Sequence, residues 1–229
     1  MLTLFHGDKG GVGKSFVAST YIDAVLKNGG KESLIVVESD TRNPDVGSLF
    51  AGLLDVQQID LAAHNGWMDL INVLADNPGR EIVVSLPAGI GAALQVESDY
   101  LSDVLADLKH ELKVFWTINR LKYSVILLRE FLQTSLAKNA AEIVVVKNGF
   151  FGDDHKFVRW NDSNVRKEFL KLKAAREIYL PELHERVVDE ITKPWSVALD
   201  DASLGLKYAT KAELQRWLKD AHKALLNGG

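Results

Sequence analysis

Cysteine is absent from all 229 residues, which excludes disulfides, thiolate nucleophiles and zinc–thiolate sites together and fits a reducing compartment. No run of eighteen apolar residues occurs, so no segment reads as a membrane-spanning helix. There is no basic-then-apolar leader, since Met1 opens straight into a strand-like run; export is not indicated and the expected location is the cytoplasm. Six histidines, His6, His64, His110, His155, His184 and His222, are scattered without metal-ligand spacing. A global excess of positive charge is missing too, because the net charge is −4. No repeat, low-complexity tract or clear linker interrupts the chain, and no helix-turn-helix pattern favours direct base readout. What remains, 47% hydrophobic and 25% charged, suits a globule with a sizeable core, expected as one domain over residues 1–229.

Short apolar, β-branched runs recur at Leu2 to Phe5, Leu34 to Val37, Ile82 to Leu86, Val114 to Ile118, Ile143 to Val146 and Ile178 to Leu180. Continuous runs of this kind suit strands buried on both faces, so the expected fold class is α/β, a mostly parallel sheet flanked by helices on both faces. Helices are expected over Lys14 to Asn28, over Arg120 to Asn139, and from an Asp162 or Ser163 cap to about Ala174. Pro181 reads as the opening of another helix, and Thr210 as the cap of the last one, running to Leu226.

Residues 7 to 15 read Gly-Asp-Lys-Gly-Gly-Val-Gly-Lys-Ser, between the first apolar run and the first helix. Glycines let successive backbone N–H groups turn toward phosphate oxygens, and the following helix N-terminus adds partial positive charge. Lys14 is placed to reach the β and γ phosphates and Ser15 to hold Mg²⁺. The ligand class is a nucleoside triphosphate with magnesium, and the general pattern is matched by Gly10, Gly11, Gly13, Lys14 and Ser15, with Asp8 where a glycine is usual.

In open parallel sheets ligands bind beyond the carboxyl ends of the strands. Glu38, Ser39 and Asp40 follow the second run; Pro87, Ala88, Gly89, Ile90 and Gly91 the third; Lys147, Asn148 and Gly149 the fifth. Beside a magnesium triphosphate, Asp40 is suited to hold a metal-bound water or to orient the attacking water; as a loop aspartate it could equally cap the turn before Pro44.

Lys9, five residues before Lys14, is what ordinary P-loops lack, and Lys-Gly-Gly-Val-Gly-Lys-Ser resembles the deviant Walker A loop of the ParA/MinD superfamily of P-loop ATPases. Glu38-Ser39-Asp40 with Arg42-Asn43-Pro44-Asp45 resembles the first switch of that family, and Ile82 through Gly91, containing Ser85, Pro87, Gly89 and Gly91, resembles its second. The resemblance implies a SIMIBI-type P-loop fold with ATP and Mg²⁺ as cofactors. Asp8, Lys9, Gly10, Gly11, Val12, Gly13, Lys14, Ser15 and Phe16 would surround the nucleotide, Asn148 would contact adenine, and Ser15 and Asp40, the latter through water, would serve the metal. It further implies an ATP-bound homodimer in which Lys9 acts across the interface as a catalytic residue beside Asp40. Where the family usually has an aspartate this chain has Ser85, which implies weak hydrolysis. Phe157, Trp160, Ser163, Arg166, Leu180 to Leu183 and Val187 to Asp189 resemble the plasmid-encoded TraL and StbB branch, whose business is conjugation and plasmid stability.

Two surfaces bear on partners. Residues 155 to 176 carry Lys156, Arg159, Arg166, Lys167, Lys171, Lys173 and Arg176 against Asp162 and Glu168, either a solvated face or a surface for DNA or an acidic partner. The last helix sets Leu214, Trp217, Leu218, Ala221, Ala224 and Leu225 on one side, a stripe that fits core packing better than the membrane adsorption of a MinD-like regulator. The aromatics Phe115, Trp116, Phe150, Phe151, Phe157 and Trp160 are expected in the core or over the adenine.

Overall fold

The computed structural model describes residues 1–63 and 65–227; His64 lies outside them. Seven parallel strands form one sheet in the order β3-β2-β4-β1-β5-β6-β7. The strands are β1 (Leu2–His6), β2 (Leu34–Glu38), β3 (Asp55–Gln58), β4 (Glu81–Ser85), β5 (Leu112–Ile118), β6 (Glu142–Asn148) and β7 (Ala175–Leu180). Between and after them run α1 (Lys14–Lys27), α2 (Asp45–Phe50), α3 (Gly66–Asp76), α4 (Gly91–Asp107), α5 (Lys122–Phe131), α6 (Ser135–Asn139), α7 (Val158–Asn161), α8 (Asn164–Phe169), α9 (Glu185–Glu190), α10 (Trp195–Asp200) and α11 (Tyr208–Asn227). The expected α/β architecture is the observed one.

Strand side chains alternate between the two faces, so each apolar run feeds two cores. Leu2, Leu4, Ile35, Val37, Ile82, Val84, Val114 and Trp116 join Leu70, Leu94, Leu101, Leu128 and Trp160 on one side. Phe5, Leu34, Val36, Val83, Phe115, Val144 and Val146 meet Val17, Ile22, Trp195, Leu214, Trp217 and Leu225 on the other. The apolar stripe of α11 is therefore core, as expected, with Leu214, Trp217, Leu218, Ala221 and Leu225 all buried. Asp23, fully buried in α1, fastens this layer: it accepts from the Ser196 amide at 2.9 Å and hydroxyl at 2.8 Å, and stands 3.1 Å from His222 Nε2.

Several local expectations are corrected. The single helix over Arg120 to Asn139 is two, because Thr134 leaves the helical region and caps α6 by accepting from the Ala137 amide. Ser163 caps α8 as expected, accepting from the Arg166 amide, but the helix stops at Phe169 rather than near Ala174. Pro181 opens no helix; α9 begins at Glu185, with the His184 ring accepting from the Arg186 amide. Thr210 lies inside α11, not at its cap, and its hydroxyl donates to Glu190 at 2.9 Å. Among the described residues no helix is long and apolar enough to cross a membrane.

Candidate functional site

β1 and α1 are joined by the glycine-rich loop, which forms the floor of a cleft of about 730 Å³ at the carboxyl ends of the strands. Gly10, Gly11, Gly13, Lys14, Ser15, Phe16, Asp40 and Asn148 all line it. Residues separated by more than 130 positions thus converge where a parallel sheet places its ligands. Helix α1 starts at Lys14 with no side chain capping it, so the first-turn N–H groups remain available to an anion. Lys14 is buried, and loss of hydration pushes its ammonium below the usual lysine range, against the opposing pull of Asp40 and Asp8. Among the described residues it pairs with no carboxylate. A buried, unpaired ammonium at a helix N-terminus fits a phosphate chain.

Gly13 adopts φ of 93°, and a Cβ there would strike the Asn148 carboxamide. The close approach matters because Asn148 Nδ2 donates to the Val12 carbonyl at 2.9 Å, while its Oδ1 accepts from the Phe150 amide at 3.1 Å. Asn148 therefore locks the loop to the end of β6 and keeps one N–H free for a base. Phe150, largely exposed, and Phe151 line the cleft beside it; Phe115, Trp116, Phe157 and Trp160 are core. Phe16 packs on Trp195 and Trp217, with ring centroids 5.7 and 5.5 Å away.

Three of the expected nucleotide residues do not face the cleft. Val12 is buried beneath the loop and contributes its carbonyl to Asn148. Lys9 lies outside the cleft lining, its Nζ 5.9 Å from the centre of the exposed Tyr123 ring. Asp8 turns away to the segment leading into α4, where Oδ1 accepts from the Gly91 amide at 2.7 Å and its carbonyl accepts from Gly89 at 2.7 Å. Any Cβ on Gly91 would come 2.5 Å from that carboxylate, which explains glycine there. The residue that departs from the usual glycine thus clamps the phosphate loop to the start of α4.

Glu38 plays the matching part at the start of α2, a role not legible in the sequence. It is almost fully buried and accepts from Asp40 at 2.9 Å and from the Val46 and Gly47 amides at 3.1 Å each. Burial pushes its carboxyl above the usual range, against the pull of those three amides. Helices α2 and α4 are each capped at long range by an acid outside them, where negative charge meets the helix dipole. Asp40, half-buried on the cleft wall, accepts from Asn43 at 3.1 Å, so it caps its turn while facing the cleft. Ser85 ends β4 and is buried; its carbonyl accepts from Ser39, and the wall nearby is made by Leu86 and Ala88 rather than by Ser85 or Pro87.

We expect Asp8→Ala to loosen the start of α4: amide exchange at Gly91 to Leu94 rises about tenfold or more, as loss of one charge-assisted bond implies. Unchanged exchange there would show that the carboxylate does not hold α4.

The basic segment is less free than its composition indicates. Arg166 donates to Glu177 from Nε at 2.7 Å and Nη2 at 3.1 Å, so its charge is already paired within the fold. Arg176 is held by Glu142 and the carbonyls of Ala224 and Leu225. Lys156 pairs with Asp153 at 3.0 Å and Lys171 with Glu168 at 2.7 Å. Arg159, Lys167 and Lys173 remain exposed and, among the described residues, unpaired.

The glycine loop, the uncapped α1 and the seven-stranded parallel sheet define a P-loop α/β fold with helices on both faces. Over 225 residues the chain is 34% identical to Protein MobD of Acidithiobacillus ferrooxidans, spanning 97% of this chain and 95% of that protein; it belongs to the MobD family. No family model matches it. Among solved structures it is similar to a nucleotide-binding protein in complex with ADP from Archaeoglobus fulgidus, with 16% identity, 82% and 84% of the two chains covered and a TM-score of 0.45. It is similar to the MinC:MinD cell division protein complex of Aquifex aeolicus at 14% identity, 95% and 94% coverage and a TM-score of 0.48. For chloroplast FtsY from Physcomitrella patens the identity is 11%, coverage 72% and 55%, and TM-score 0.48, so the chain spans about half of that one.

Proposed function

We propose that the chain is an ATP-dependent dimeric switch, hydrolysing slowly, that positions plasmid DNA or a DNA–protein complex in plasmid partition, stability or conjugation. The observation that carries this reading is the different placing of two lysines: Lys14 is buried and lines the cleft, whereas Lys9 lies outside the cleft lining, beside the exposed Tyr123. A cation so placed is suited to the phosphates of a second copy, where it stabilises the charge that develops on phosphoryl transfer. Dimerisation then depends on the γ-phosphate, and hydrolysis releases it.

Asp40, Asp45, Glu182, Glu185 and Asp189 line the cleft, against Lys14 as the single cation among the described residues. A bare triphosphate would be repelled, so the residues fit a nucleotide accompanied by Mg²⁺, whose charge would offset them. Ser15 would hold the metal, Asp40 would act through water, and Asn148 would present its free N–H to adenine. Arg159 and Lys167 are the residues of the basic segment left for DNA phosphates. A membrane-cycling role is not favoured, since the apolar face of α11 is occupied by core.

Ser85 supports a second reading, a nucleotide-gated binder with little turnover. Steady-state hydrolysis and ATP and ADP binding, with and without Mg²⁺ and nonspecific DNA, separate the two. Slow turnover raised by DNA supports the switch; tight Mg²⁺-dependent binding without turnover supports the gated binder; no nucleotide binding refutes both. Ser85→Asp is expected to raise Mg²⁺-dependent turnover roughly tenfold by supplying the missing charge. Unchanged turnover would mean that Ser15 and Asp40 suffice.

A further inference from the structure

At the pole of the sheet opposite the nucleotide cleft lies an open groove of about 480 Å³. The turn after α5, helix α6, the start of β6 and the segment entering β7 surround it. Its floor and walls are apolar, made by Leu132, Ala137, Ile143 and Leu172, with Lys138 and Lys173 also lining it. Small alanines around α6 leave the space open, and α8 stops at Phe169, so the chain crosses the groove edge as irregular backbone. Two leucines of that crossing stay open to solvent, Leu170 at 46% and Leu172 at 47% exposure. Leaving such side chains in water is unfavourable, so the exposure of Leu172 on a concave apolar surface is informative.

The charge is as specific as the shape. Lys138 and Lys173 are exposed and, among the described residues, pair with no carboxylate, whereas Lys156, Arg166, Lys171 and Arg176 nearby in sequence are all engaged. The acid beside the groove, Glu142, is already held by Lys113 at 2.8 Å and by Arg176. A rim with unsatisfied positive charge over an apolar floor does not match a nucleic-acid backbone, which would leave the floor empty. It matches a chain carrying carboxylates and apolar side chains together.

We propose that this groove docks a short acidic, apolar peptide segment of a partner protein, its apolar side chains on Leu172 and Ile143 and its carboxylates at Lys138 and Lys173. Because the groove and the nucleotide cleft occupy opposite ends of the sheet, this docking stands independently of the ATP reading.

The test uses the full chain and fluorescein-labelled peptides in which leucine is interspersed with glutamate, the same peptides with lysine for glutamate, and a nonspecific DNA duplex. Anisotropy should show binding of the glutamate peptides and not of the lysine peptides. Lys138→Glu combined with Lys173→Glu, and separately Leu172→Asp, should each weaken it by about tenfold or more. Near-UV circular dichroism, dominated by the buried tryptophans, should be unchanged in both variants because all three positions are exposed. Absent binding of the glutamate peptides, or equal binding by all three proteins, overturns the proposal. So does DNA binding that is lost with the lysines and indifferent to Leu172→Asp, which would make the patch a phosphate contact.

Discussion

Lys14→Ala is expected to weaken nucleotide binding at least about a hundredfold, whereas Lys9→Ala is expected to leave affinity within a few-fold of the wild type and to abolish the proposed ATP-dependent dimerisation. The two substitutions delete the same charge five residues apart in one loop, yet the side chains occupy different surroundings. Lys14 is buried on the cleft wall, with no carboxylate partner among the described residues, and its dehydrated ammonium is offset only when an anion sits against it. Removing it deletes the cleft's own cation and leaves the facing acids uncompensated. Lys9 does not line that cleft, so a nucleotide bound by one chain loses little when it goes. Isothermal calorimetry gives the affinities and light scattering the mass. Equal loss of binding in both variants would make Lys9 an ordinary loop residue and remove the basis for action across an interface.

Acid weakens the fold in two overlapping steps. His6, buried behind the phosphate loop and edge-on to Trp116 at 4.4 Å, is driven by burial, and then by the Lys14 charge, from 6.5 down to about 3. In the unfolded chain it takes a proton below about 6.5 but in the native state only near 3, so its contribution to stability is full at neutral pH and lost as pH falls through that window. Glu177 follows lower. Burial alone would raise its carboxyl, but hydrogen bonds from Arg166, Lys147 and Trp160 prevail and bring it from 4.5 to about 2. It stabilises above its unfolded value, and that contribution is lost as pH falls from about 4.5 toward 2. The shifts correspond to roughly 5 kcal/mol for His6 and roughly 3 kcal/mol for Glu177 at most. Urea midpoints should decline from about pH 6.5 downward, and His6→Leu should flatten the upper part of that decline. Glu177→Gln should remove the lower part while costing about 2–3 kcal/mol at neutral pH, because Arg166 and Lys147 lose their partner. A midpoint independent of pH between 6.5 and 4.5 would contradict the assignment to His6.

β1, β2, β4, β5 and β6 were legible in the sequence because both faces of those strands are covered and their side chains had to be apolar, while the edge strand β7 was read from the short run Ile178 to Leu180 alone. β3 was not: Asp55-Val56-Gln57-Gln58 lies at the sheet edge, partly exposed, and carries too little apolar pattern to be read. The break between α5 and α6 was hidden because Thr134 caps α6 inside a stretch whose apolar spacing continues across it. In the site, Lys14, Ser15, Asp40 and Asn148 were legible because phosphate chemistry constrains residue type and spacing within a short loop or just after a strand. Glu38 and the downward turn of Asp8 were not, since each acts through a backbone amide across the fold, and an amide leaves no trace in the sequence. The true state of the basic segment was likewise invisible, because the acids that neutralise Arg166 and Arg176 are Glu177 and Glu142, placed beside them only by the sheet.

The most direct test of a nucleotide-gated dimer is the mass of the full chain by light scattering, in Mg²⁺ with ADP and with a non-hydrolysable ATP analogue, for the wild type and Lys9→Ala. A wild-type mass that doubles with the analogue alone, and a Lys9→Ala mass that stays monomeric while still binding nucleotide, is the predicted result. A mass that does not change with nucleotide, or a Lys9→Ala dimer as stable as the wild type, would contradict it.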